Sequence, residues 1–84
     1  MSTTFNLDGI NYKVLRKFEV KVYQSKTGYC GHIVIPEKVT YNNQEYTVVE
    51  IGNGAFKNCY ELTSIVLPKT LLSIGNRAFF CAKN

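Results

Sequence analysis

Across residues 5–22 apolar and polar positions alternate with a period of two, the signature of half-buried strands. Phe5 and Leu7 alternate, Asp8-Gly9 offers a tight two-residue turn, and Ile10, Tyr12 and Val14 alternate again, which predicts a β-hairpin. Phe18, Val20 and Val22 then share one face of a strand, opposite Glu19, Lys21 and Tyr23. Residues 24–28 are polar and end on glycine, as a connecting loop does. Ile33-Val34-Ile35-Pro36 reads as a short strand stopped by proline, which has no N–H to give to a ladder.

Beyond this point the pattern becomes periodic. The same stop returns at Ile65-Val66-Leu67-Pro68, and Ile51-Gly52-Asn53-Gly54-Ala55-Phe56 matches Ile74-Gly75-Asn76-Arg77-Ala78-Phe79 as a 23-residue repeat. A unit this short cannot bury its own apolar face, so the repeat predicts stacked coils and a binding surface more than a catalytic pocket. The two proline-stopped strands, at 33–36 and 65–68, stand nine positions further apart than the period. A hairpin inserted at 40–48 accounts for the excess, with Tyr41 and Tyr46 flanking a turn at Asn42-Asn43.

Each unit has the same predicted order. A strand over 64–67 ends at Pro68, a second extended piece covers 71–74, and Gly75 turns the chain. Asn76 is placed to cap a short helix by accepting from a backbone N–H two or three residues on, and Ala78 and Phe79 begin that helix. Gly52, Asn53, Ala55 and Phe56 hold these places one unit earlier, with Phe56, Cys59 and Tyr60 on one helical face. The alanines permit close approach between coils, and the phenylalanines fill the space between them.

These residues resemble the BspA-type leucine-rich repeats of bacterial surface proteins. The resemblance rests on Ala55-Phe56-Lys57-Asn58-Cys59-x-x-Leu62-Thr63-Ser64-Ile65, then Ile65-x-Leu67-Pro68, then Ser73-Ile74-Gly75-Asn76-x-Ala78-Phe79. It covers Ile33 onward, and Phe5-x-Leu7-Asp8-Gly9-Ile10-x-Tyr12 is similar to the β-rich segment that precedes such repeats. It implies a β-rich α/β fold, a leucine-rich-repeat solenoid fragment with short parallel strands, short helical turns and an N-terminal β-hairpin cap. On that reading residues 1–32 are the cap and 33–84 are about one and a half repeats. The resemblance also implies a secreted or surface-anchored interaction module that binds host proteins, other cells or matrix. The family's cysteine falls at Cys59 in the first unit, whereas its second slot is Ala82, with Cys81 one place early. The chain ends at Asn84 where another unit would begin, so Ile65, Leu67, Ile74 and Phe79 are expected at an open end and self-association is expected to follow.

Composition adds exclusions. The 84 residues suffice for one domain, with 45% apolar residues and no tract polar enough to be disordered. The longest apolar run, 78–82, is far short of the roughly 20 residues of a spanning helix. The start of the chain has no signal-peptide pattern, so a cytoplasmic location stays open. Ten Lys and Arg against six Asp and Glu leave a net charge of +4 without a basic run, which reads as a solvated surface. A basic β-barrel stacking bases on its aromatics is the alternative, but such a barrel gives no reason for a 23-residue repeat. A structural cap without its own ligand is a further alternative.

No catalytic, cofactor or metal residue is assigned. Three cysteines, Cys30, Cys59 and Cys81, with one histidine, lack the spacing of a zinc site. Cys30 and His32 stand two apart and would share a strand face as a nucleophile and base, yet nothing supplies an orienting third group. Gly52-Asn53-Gly54 lacks the lysine and hydroxyl of a phosphate loop. The candidate surface is a protein-binding face made by His32 and Val34 on one strand and Ser64 and Val66 on the next. The partner is expected to be a protein, either a host or cell-surface ligand or a second copy, with no nucleic acid and no membrane insertion.

Overall fold

Asp8 and Gly9 adopt φ of 51° and 83°, as a type I′ turn requires, and close a hairpin between β1 (Thr4–Leu7) and β2 (Ile10–Arg16). In the computed structural model, which describes residues 3–25 and 28–79, six further strands follow. They are β3 (Glu19–Val22), β4 (Gly31–Val34), β5 (Lys38–Tyr41), β6 (Gln44–Ile51), β7 (Leu62–Val66) and β8 (Ser73–Ile74). One sheet runs β1-β2-β3-β6-β5, with β8 added to β6, and a second joins β4 to β7. The β3–β6, β6–β8 and β4–β7 pairs are parallel, as consecutive turns of a coil must be.

Register supports the spacing argument. Ile33 pairs with Ile65 in one coil-to-coil step, and Ile51 pairs with Ile74 in the other. The nine positions by which the first step is longer lie in the β5–β6 hairpin, whose Asn42 and Asn43 turn with φ of 52° and 63°. That hairpin is wider than 40–48 and is not separate from the coil. β6 is one strand, whose first half pairs with β5 and whose second half pairs with β3 and β8. Its aromatic side packs back on the first hairpin: the Phe5 ring stacks on Tyr41 with centroids 4.3 Å apart, and Tyr12 and Tyr46 close around it.

The core is one cluster. Tyr12, Val20, Val22, Ile35, Val48, Ile51, Phe56 and Leu62 are all buried within it. Phe18 does not join Val20 and Val22; it lies in the two-residue turn that links Arg16 of β2 to Glu19 of β3, and is exposed.

The predicted helices are absent from the described residues. After Gly52 the chain makes successive turns, with Ala55 N–H donating to Gly52 O, Lys57 to Gly54 O and Cys59 to Phe56 O. Gly54, Asn58 and Arg77 have φ of 65°, 59° and 57°, and a left-handed residue ends any right-handed helix. Phe56 and Cys59 are buried while Tyr60 is exposed, so the three do not share a face. Residues 80–84, with the Cys81 and Ala82 slots, lie outside the described residues.

Candidate functional site

On β4 and β7 the strand period separates inner from outer side chains. Ile33, Ile35 and Ile65 pack towards the core, while His32 and Val34 stand in register with Ser64 and Val66 on the outer side. Val34 and Val66 are 51% and 48% exposed, enough to offer apolar surface to a partner. His32 Nδ1 and Ser64 Oγ share a hydrogen bond across the two strands. Cys30 precedes β4, and Gly31 between it and His32 has a left-handed backbone at φ 74°, which interrupts the extended alternation that would put the two side chains on one face. No group of three potential metal ligands gathers among the described residues.

The repeat framework joins successive coils by direct contacts. Gly75 begins the turn, with Ala78 N–H donating to its O at 3.3 Å, and it does so without a left-handed backbone. A Cβ there would collide with the backbone N and Oδ1 of Asn53 and stand 2.6 Å from the carbonyl carbon of Gly52. Its absence lets the two corners touch. Asn53 does not cap its own turn either: its Oδ1 accepts from the Asn76 backbone N–H at 2.7 Å, one coil on. Gly54 N–H donates to Asn76 O at 3.1 Å and Phe56 N–H to Ala78 O at 2.7 Å. Ala55 and Ala78 are buried, and the Phe56 and Phe79 rings stack at 5.3 Å.

Tyr29 extends this ring column backwards, 4.8 Å from Phe56. Its hydroxyl donates to Tyr23 O at 2.6 Å and accepts from Asn11 N–H at 3.1 Å, tying the first hairpin to the coils. Burial pushes its pKa up to about 12, against the opposing effect of the Asn11 hydrogen bond, and burial does the same to Tyr12. Cys59 is buried beside it, and its Sγ accepts from Tyr29 N–H at 3.3 Å. Sequence reasoning missed Tyr29, since one repeat interval counted back from Phe56 falls on Ile33, four positions beyond the tyrosine.

Strands stacked in parallel at a 23-residue interval, with an Asn-Ala-Phe corner bridging successive coils, place the fold beside known repeat proteins. Residues 16–84 match the family model described as "BspA type Leucine rich repeat region (6 copies)". The chain belongs to this family. BspA-type leucine-rich repeats are a family of bacterial surface proteins, consistent with a protein-interaction role.

The chain is similar to the crystal structure of a leucine-rich repeat protein from Bacteroides capillosus, with TM-score 0.78 and 27% identity. The likeness covers 93% of this chain and 59% of that one. A leucine rich cell surface protein from Faecalibacterium prausnitzii is equally similar, with TM-score 0.78 and 27% identity, over 94% of this chain and 21% of that one. The pneumococcal vaccine antigen PcpA shares the fold, with TM-score 0.54 and 16% identity over 95% of this chain and 30% of the antigen. No curated protein matches the chain. This BspA-type chain thus spans about three fifths of the first structure's length and about a fifth of the second's.

Proposed function

We propose that the chain is a non-catalytic adhesion-type module of a secreted or surface leucine-rich-repeat protein, contacting its protein partner through the outer face of β4 and β7. The observation that carries this reading is the register of Val34 beside Val66, two half-exposed apolar side chains on neighbouring parallel strands, flanked by His32 and Ser64. Concave, solvent-facing strands are where a solenoid offers a continuous surface. The F. prausnitzii likeness to a cell surface protein supports the location. The test is retention on a panel of immobilised extracellular-matrix proteins. The chain is expected to bind at least one saturably, and a Val34→Lys/Val66→Lys double variant to bind it about tenfold more weakly with an unchanged melting temperature. Equal retention of the two proteins would remove the face from the proposal.

The same reading includes self-association through an apolar surface bearing Leu67 and Ile74. Leu67, Leu72 and Ile74 support it as exposed apolar side chains. Sedimentation velocity over a concentration series should show a rising mean mass; a monomer throughout would sink this part.

A further inference from the structure

The ladder between β4 and β7 uses only one side of β4. Ile35 N–H donates to Val66 O at 2.9 Å, and residues along a parallel strand turn their N–H and C=O alternately to opposite sides. Ile33 and Ile35 therefore serve β7, while His32 and Val34 direct their backbone groups to the other side. There, among the described residues, no strand pairs with β4.

From these observations we infer that the uncovered edge of β4 takes an extended segment of a partner protein as an added strand. The inference rests on the proposed protein-binding role and names how the partner is held.

Three features favour this occupant. First, exposed edges are ordinarily blunted by lysine or proline. The β5 edge follows Pro36 and carries Lys38, which faces Glu45 at 3.8 Å, whereas Gly31–Val34 has neither residue and is limited only by its four-residue length and the irregularity beside Gly31. Second, Val34 of this edge lines a groove of about 460 Å³, whose lining also includes Ile10, Tyr12 and Val39 together with the charged Asp8 and Lys38. Ile10, Tyr12 and Val39 are buried core residues, so the groove has an apolar floor. Third, the two recognition elements have the period of a strand. A segment hydrogen-bonded to His32 and Val34 would turn alternate side chains into the groove and the others onto the face of Val34 and Val66. A partner sequence of alternating apolar and small polar residues satisfies both.

The experiment uses a short fluorescein-labelled peptide of alternating valine and threonine, followed by fluorescence anisotropy. A second copy of the peptide carries N-methyl groups on alternate backbone amides. The unmodified peptide is expected to bind, and N-methylation to weaken binding about tenfold or more. Val34→Pro should do the same. Its lost N–H faces away from β7, a place where a strand tolerates proline, so the melting temperature should change little. His32→Pro provides the same block one step along if Val34→Pro does not fold. No binding, or equal binding of both peptides, would overturn the inference. So would a dimer that forms in the parent chain, resists the peptide and is lost in Val34→Pro, which would assign the edge to a second copy. Matrix-protein binding lost in Val66→Lys but kept in Val34→Pro would also overturn it, while leaving the face reading intact.

Discussion

Residues 51–56 and 74–79 carry nearly the same side chains, yet the molecule treats them differently. Ile51 is fully buried between β3 and β8, whereas Ile74 is 50% exposed. Phe56 has Tyr29 on one side and Phe79 on the other, and Phe79 stacks on Phe56 while half-buried. Gly54 in one corner and Arg77 in the other share a left-handed backbone that only glycine adopts without strain. A repeated sequence therefore repeats a conformation but not an energy. What a residue contributes depends on what packs against it from the neighbouring parts of the fold.

The strongest test of this contrast compares the two rings. Phe56→Ala should cost about 3–5 kcal/mol, the usual range for a fully buried phenylalanine, and Phe79→Ala less than half of that. Urea denaturation measures both, and equal losses would mean that the second corner is as well packed as the first. The tyrosine at the head of the column gives a pH test. The Tyr29 pKa is raised from 10.0 to about 12, so the folded state holds a proton that the unfolded chain has released. Its contribution is complete below about pH 10 and is lost as the pH rises to about 12, on the order of 3 kcal/mol. In Tyr29→Phe the alkaline loss of stability should be correspondingly shallower, with the share due to Tyr12 remaining.

A smaller effect separates the two stacking glycines. At Gly52 a Cβ would stand 3.1 Å from Val22 O, a contact that a slight shift relieves, whereas at Gly75 it meets backbone on several sides. Gly75→Ala should cost roughly 1–3 kcal/mol and Gly52→Ala clearly less, read as thermal midpoints. Smallest is the left-handed position. Arg77→Gly should gain about 0.5–1 kcal/mol and Gly54→Ala lose a similar amount. A destabilised Arg77→Gly would show that the arginine side chain contributes more than its backbone costs.

Much of the fold was legible because it is written at short range. Asp8-Gly9 and Asn42-Asn43 announce two-residue turns, proline marks strand ends at 36 and 68, and the 23-residue interval places Ile51 beside Ile74. The outer face was legible for the same reason, since a period of two assigns His32, Val34, Ser64 and Val66 to one side. The helices were misread because Gly54 and Arg77 occupy equivalent places whose left-handed backbone is visible only in three dimensions. Asn53 has the composition of a cap, but its nearest donor proved to be Asn76 of the next coil. Tyr29 escaped because the column it heads is contiguous in space and irregular in sequence.

The sequence by itself determined the period of the coil, the two-residue turns and the alternation of side chains within the strands. These depend on local turn chemistry and alternation, which each stretch of chain satisfies without its neighbours. Only the tertiary structure decided that Gly75 is a point of contact, that Asn53 bridges coils and that Tyr41 belongs to the same cluster as Phe5. It also decided which strand edge stays uncovered. Each of these depends on what another part of the chain brings within a few ångströms, and a one-dimensional pattern carries no such distance.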